Sequence, residues 1–221
     1  MADLPLQPNN LKENDSGVVM TQTTVHALES AHCEQHLTAR QKLLEILRDK
    51  ALRELPEPIQ LASGAFSSHF IDCKEALAAW RDLRVACEAF VETVTAEGHW
   101  FNAVGGLTMG ADALAVGVAA VCDRSWFSVR KEPKNRGTRR LIEGAQIGPG
   151  DRVLLVDDVV TTGGSIFQAF DVIEKEGAEI VAVVTLVDRG DSVKLQFEEM
   201  DVDYFPMATY KDLKIPPVCL G

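Results

Sequence analysis

Two adjacent acids, Asp157 and Asp158, stand between an apolar run, Val153-Leu154-Leu155-Val156, and a stretch rich in hydroxyls and glycine, Val159-Val160-Thr161-Thr162-Gly163-Gly164-Ser165. Beyond it, Ile166, Ala169, Phe170 and Ile173 recur at helical spacing. A strand that feeds such a loop into a helix turns successive backbone N–H groups and the positive end of a helix dipole toward one point, which is what a phosphate requires. Gly163 and Gly164 permit positive φ and close backbone approach, while the hydroxyls of Thr161, Thr162 and Ser165 add donors without bulk. The acids serve another purpose: carboxylates repel a phosphate in direct contact but accept hydrogen bonds from vicinal hydroxyls. A ribose 5-phosphate satisfies both demands. An isolated Asp-Asp pair more often just ends a strand, and it is the apolar run before it and the TTGGS after it that favour the binding reading. The lysine of a GxxxxGK[ST] loop is missing, so this is not a Walker motif.

Positive charge gathers elsewhere, at Arg130, Lys131, Lys134, Arg136, Arg139 and Arg140, in a chain whose formal net charge is −11. A charge run is ordinarily a solvated face. This one contains Pro133 and Gly137 and follows an apolar run directly, which in a protein with a phosphate cradle fits a lid that closes over an anionic leaving group. Arg189 follows another apolar run, Ile180–Val187, and its guanidinium has two readings: a partner for an anionic ligand, or a surface ion pair with Asp188 or Asp191. His32-Cys33-Glu34-Gln35-His36 has the spacing to put two histidines on one helix face, but no second ligand cluster accompanies it and a polar lead-in to a helix explains it as well.

The elements that must position these groups follow from apolar periodicity. Leu43, Leu44, Leu47 and Ala51 predict a helix from about Leu37, stopped by Pro56 and Pro58. Ile59 to Asp72 reads as strand-turn-strand around Gly64. Leu77 to Val94 reads as an amphipathic helix with Trp80, Leu83, Cys87, Phe90, Val91 and Val94 on its apolar side. After it, short apolar runs alternate with helical stretches: Phe101–Val104 then Ala111–Val121, Trp126–Val129 then a polar loop, Val153–Val156 then Ser165–Lys175, and Ile180–Val187 then a mixed final segment. That alternation predicts an α/β fold with a parallel central sheet flanked by helices, with ligands outside the carboxyl ends of the strands.

The chain of 221 residues, 46% hydrophobic, can bury one substantial core and reads as one catalytic domain over 36–221. Residues 1 to about 35 have the polar composition of a disordered tail. Strong net acidity argues against nucleic-acid and anionic-membrane surfaces. Five scattered cysteines without a CxxC pair suggest neither a disulfide framework nor a zinc ribbon, and no apolar run reaches the roughly 18 residues of a membrane span. A soluble cytoplasmic protein is the expectation.

VLLVDDVVTTGGS, Val153 to Ser165, resembles the phosphoribosyl pyrophosphate (PRPP) signature of type I phosphoribosyltransferases, and more of the chain is similar to their orotate branch. The resemblance implies a core of about five parallel strands over about 73–205, and a small hood from about 36–72 and the C-terminal segment. It implies that Asp157 and Asp158 hold the ribose hydroxyls and that Val159 to Ser165 wrap the 5-phosphate. Arg130, Lys131, Lys134 and Arg136 resemble the mobile catalytic loop that neutralises pyrophosphate, with Lys134 its catalytic lysine. Gly106-Leu107-Thr108-Met109-Gly110 occupies the place of the pyrophosphate loop, where Met109 stands for a common lysine. Leu61-Ala62-Ser63-Gly64 through Phe70-Ile71 resembles the segment covering the base, with Ala62 and Ala65 where basic residues are common. Phe70, Thr161 and Arg189 would then face the base. Mg²⁺ bound through PRPP and water near the acid pair, and a homodimer sharing the loop between subunits, are further implications. A different purine or pyrimidine base, or a non-catalytic PRPP-binding regulator, are the alternatives.

Overall fold

The computed structural model describes residues 12–13, 19–20, 37–61, 64–133 and 140–218. Met1–Leu37 forms one compact unit and Thr38–Gly221 the other. Within the first, Lys12–Glu13 (β1) and Val19–Met20 (β2) pair antiparallel, a short ladder where the sequence predicts no element. The remainder of the polar tail, with the His32–His36 motif, lies outside the described residues, as do Ala62, Lys134, Arg136 and Arg139.

The second unit opens with helix α1, Ala39–Ile46, which Thr38 and Gln41 start through a reciprocal capping box. A single wide turn, Leu47–Ala51, ends it. The predicted stop at Pro56 and Pro58 is therefore five residues or more too late. Both prolines instead lie inside strand β3, Leu52–Gln60, paired antiparallel with β4, Phe66–Ile71. Proline has no N–H for a ladder, and the pairing register shifts between Glu54 and Ile59, across the two prolines. A short helix α2, Cys73–Ala76, and helix α3, Trp80–Ala96, follow. Cys87, Phe90 and Val94 are buried as the periodicity predicts, but Trp80 in the first turn is 54% exposed.

Alternation then produces β5, Ala103–Leu107; α4, Asp112–Cys122; β6, Ser125–Val129; β7, Ile142–Gly144; β8, Arg152–Val160; α5, Gly164–Glu176; β9, Glu179–Asp188; α6, Ser192–Glu199; and β10, Tyr204–Thr209. The six-stranded sheet has the order β10-β9-β8-β5-β6-β7. Its first five strands are parallel, and β7 closes one edge antiparallel, so the sheet is mixed. β8 explains the layering. Leu154 and Val156 enter the cluster shared with α1, α3 and α4, while Val153 and Leu155 enter the cluster shared with α5 and α6. A strand buried on both faces needs helices on both sides, and its pleat sends alternate side chains to each. β10, beyond the last predicted strand, adds Met207 and Ala208 to the first cluster.

Candidate active site

β8 runs four residues past its apolar stretch, so the acids lie within the strand rather than after it. By the same alternation Asp157 continues the α5 side and Asp158 the α4 side. Each carboxylate is steadied by its own backbone: Asp157 Oδ1 accepts from Asp158 N at 3.0 Å and Asp158 Oδ1 from Val159 N at 2.7 Å. Asp158 Oδ2 also takes Lys74 Nζ at 2.7 Å. Asp157 is 3% exposed. Burial, and then the neighbouring Asp158 charge, push its carboxyl up to about 7, against partial relief from the Asp158 amide and Lys74.

The loop after β8 enters α5 through Gly163, whose φ of 84° is open to glycine at little cost. No side chain caps this helix, and its first backbone bond runs from Phe167 N to Gly163 O at 2.9 Å. The preceding amides, those of Gly164, Ser165 and Ile166, belong to the first turn, where N–H groups have no intrahelical acceptor, and so suit an anion. Asp157, Asp158, Val159, Val160, Thr161, Thr162, Gly163, Gly164 and Ser165 line one cavity of about 400 Å³, together with Phe70 and Arg189. It lies at the carboxyl end of β8, where ligands of open α/β sheets bind.

Arg189 is 2% exposed. Its backbone is held at both ends, N to Val160 O at 2.9 Å and O from Val218 N at 2.8 Å. Nη1 donates to His69 O and Nη2 to Ser67 Oγ, both at 3.0 Å, which ties β4 to the end of β9. Nε is buried without a partner. Burial lowers the guanidinium from its ordinary value. Neither acid of the surface ion-pair reading takes it. Asp188 accepts Gly190 N and the Tyr204 hydroxyl, each at 3.0 Å, and Asp191 accepts the Tyr210 hydroxyl at 3.0 Å and pairs with Lys211 at 3.7 Å. A buried guanidinium hydrogen-bonded only to neutral groups, in the wall of a cavity, is left with a charge that an anionic partner would offset.

The loop from Gly106 to Gly110 adjoins the acids from the β5 side, and its Thr108–Met109 peptide is cis. A Cβ on Gly110 would lie 2.6 Å from Asp158 Oδ1 and 2.8 Å from Asp157 Oδ1, so only glycine lets the loop come this close. Gly106, Leu107, Thr108 and Met109 do not line the cavity, and Met109 is 76% exposed. Arg130 and Lys131 do not line it either: Arg130 Nη1 pairs with Glu143 at 3.7 Å, and the Lys131 carbonyl accepts from Gln168 at 2.8 Å. Sequence reasoning misses Lys74, and also Ser67 and His69 as supports of Arg189. Lys74 lies three residues beyond β4 and carries no motif of its own; only the fold brings it within reach of Asp158.

A family model described as a phosphoribosyl transferase domain matches residues 93–207. The orotate phosphoribosyltransferase of Pyrococcus furiosus is 38% identical over 153 residues, 69% of this chain and 84% of that protein. That of Methanocaldococcus jannaschii is 33% identical over 175 residues, 79% of this chain and 97% of that protein. Among solved structures, Mycobacterium tuberculosis orotate phosphoribosyltransferase in complex with PRPP superposes with a TM-score of 0.66 at 29% identity, covering 80% of this chain and 99% of that one. The acid pair, the uncapped helix and the glycine-bounded loop lie within the matched segment, and the chain belongs to the type I phosphoribosyltransferases, among the orotate phosphoribosyltransferases.

Proposed function

We propose that this protein transfers the phosphoribosyl group of PRPP to orotate, giving orotidine 5′-phosphate and pyrophosphate. The observation that carries the choice of base is Arg189, a buried cation with no carboxylate partner among the described residues, in the wall of the cavity that the acid pair and the phosphate cradle also line. Orotate brings a carboxylate, which a guanidinium recognises through paired N–H donors.

The chemistry divides along the cavity. The 5-phosphate takes the α5 amides and the hydroxyls of Thr161, Thr162 and Ser165. Asp157 and Asp158 accept from the ribose hydroxyls, which orients C1 toward the base. As the C1–O bond to pyrophosphate lengthens, the ring gains oxocarbenium character and the leaving oxygens gain charge, so stabilising those oxygens lowers the barrier. Lys134 and its loop neighbours fit that role, and closing the loop keeps out water that would hydrolyse PRPP. No covalent intermediate with the protein is needed.

No group of three metal-ligating side chains occurs among the described residues, and the acid pair alone offers too few ligands for a resident cage. The two carboxylates beside the ribose site, Asp157 and Asp158, would suit Mg²⁺ that arrives with the substrate, which would offset leaving-group charge there. The reading extends to a homodimer sharing its 130–144 loop and to a cytoplasmic location, which free Cys73, Cys87 and Cys122 suit. No described helix is long and apolar enough to cross a membrane.

The test is PRPP-dependent pyrophosphate release with orotate, uracil, adenine, hypoxanthine, guanine and xanthine, each in the presence of Mg²⁺. Orotate should support release at least tenfold faster than any other base. Faster release with a purine or with uracil would overturn the choice of base, and release with none would favour a PRPP-binding regulator.

A further inference from the structure

We propose that Lys74 is a substrate-binding cation of this site, holding Asp158 while the cavity is empty and passing to the pyrophosphate of bound PRPP. The inference rests on the PRPP reading above.

Its first support is placement. Lys74 lines the cavity, and its Nζ lies 2.7 Å from Asp158 Oδ2 across a sequence separation of 84 residues. The backbone beneath it is fixed. Asp72 caps α2 by accepting Glu75 N at 2.9 Å, Asp72 N donates to Ala51 O at 2.9 Å, and Cys73 and Ala76 on either side are buried in the core. The side chain itself is 59% exposed, so a rooted stem carries a movable head.

The second support is a charge deficit next to it. The stretch from Gly105 to Asp112 contains no lysine or arginine. Its Gly110 nevertheless adjoins the carboxylates that Lys74 serves, with the position of a Cβ only 2.6 Å from Asp158 Oδ1. Backbone amides can orient an oxygen there, but a leaving pyrophosphate needs more positive charge than amides supply. Among the described lysines and arginines, Lys74 is the one that bonds to the acid pair.

The third support is that the exchange is energetically small. Asp158 is wanted as an acceptor by the ribose once PRPP binds. A half-exposed lysine pair is screened by solvent and contributes little, so surrendering it costs little. An ammonium has three donors on a flexible stem and finds phosphate oxygens without a fixed approach direction. Burial would lower the Lys74 ammonium, but the hydrogen bond and charge of Asp158 outweigh it and raise the group above its ordinary value, so it remains cationic at neutral pH.

A lysine that only neutralises Asp158 would act through the ribose hydroxyls and leave free pyrophosphate untouched, so the test separates ligands. Steady-state constants for Lys74→Ala should show the Michaelis constant for PRPP raised at least tenfold, with that for orotate changed less than twofold. In the reverse direction, with orotidine 5′-phosphate, the constant for pyrophosphate should rise to a similar degree. Lys74→Gln keeps the stem without the charge and should give the same split if the alanine variant fails to fold. Unchanged PRPP and pyrophosphate constants, or an equal rise for orotate, would overturn the role. Calorimetric titration of PRPP into wild-type and Lys74→Gln protein requires no base. A tenfold difference there supports the lysine even if the orotate assignment fails, and equal affinities reject it even if that assignment holds.

Discussion

The two ends of the cavity are built on different principles. The ribose-phosphate end is a single run, Asp157 to Ser165, in which one residue steadies the next: the Asp158 amide serves Asp157 and the Val159 amide serves Asp158. The Arg189 end is assembled from distant parts, since its guanidinium is held by His69 and Ser67, 120 and 122 residues away. Covalent succession fixes the first almost as soon as β8 and α5 form. The second exists only when β4 has docked against the end of β9. On the proposed reading, phosphate capture is then preformed while base recognition depends on how the β3–β4 arm is seated, and the two should fail separately.

The largest effect should come from the local end. Asp157→Asn/Asp158→Asn keeps shape but removes two charged acceptors, at about 1.5–3 kcal/mol each for bonds to charged groups. PRPP affinity by calorimetry should fall at least a hundredfold. Loss of less than threefold would mean that the acids do not hold the ribose. Next comes the assembled end, where Arg189→Leu removes the cation that the orotate carboxylate would meet. About 2–4 kcal/mol, or roughly thirty- to thousandfold, should appear in the Michaelis constant for orotate, with much less in that for PRPP. An equal rise in both constants would show that the two ends are coupled through the arm, and that Arg189 chiefly seats β4.

The same contrast explains what could be read from the sequence. Val153 to Ser165 is legible because strand, acids, glycines and helix are consecutive, so chain order alone specifies the geometry. Arg189 stands at a strand end with two open readings in the sequence, and its burial and its bonds to β4 remove the surface ion pair. Nothing near Lys74 in the chain signals Asp158, because that contact depends on the antiparallel return of β4 and on the turn into α2. Pro56 and Pro58 misled in the opposite way. Prolines commonly stop helices, but an edge pairing with a register shift accommodates them equally well, and only the partner strand distinguishes the cases. The strand β10 has no clear signal in the sequence because Pro206 interrupts its apolar pattern; yet Met207 and Ala208 are buried.

A smaller effect should come from the turn into α5. Gly163 has φ of 84°, and a Cβ there would also run into the ring of Phe167. Gly163→Ala should therefore cost about 1–3 kcal/mol of stability through backbone strain and displacement of that ring. Chemical denaturation should show the loss, and PRPP affinity should fall with it because the first turn of α5 must shift. A variant as stable as wild type would show that the turn tolerates a side chain and is not a fixed cradle.

The smallest expected effect tests whether the local end carries a stability cost for its function. Burial and the charge of Asp158 raise the Asp157 carboxyl from 3.8 to about 7. A carboxyl raised by folding binds its proton more tightly in the folded state than in the unfolded one. Its favourable contribution is therefore complete below the unfolded value and is lost as pH rises toward and through about 7, the folded value. Asparagine cannot ionise, so Asp157→Asn should relieve this cost where the native carboxyl is charged and make little difference where it is protonated. Without PRPP, the variant should melt roughly 3–6 °C above wild type at pH 8, on the order of 1–2 kcal/mol, with the gap narrowing toward pH 5. Saturating PRPP should reverse the order at pH 8, because only the wild-type carboxylate gains the ribose hydroxyl and ligand binding stabilises the state that binds. A gap that is constant from pH 5 to pH 8 would place its origin in packing, and the acid pair would then carry no ionisation cost in the empty site.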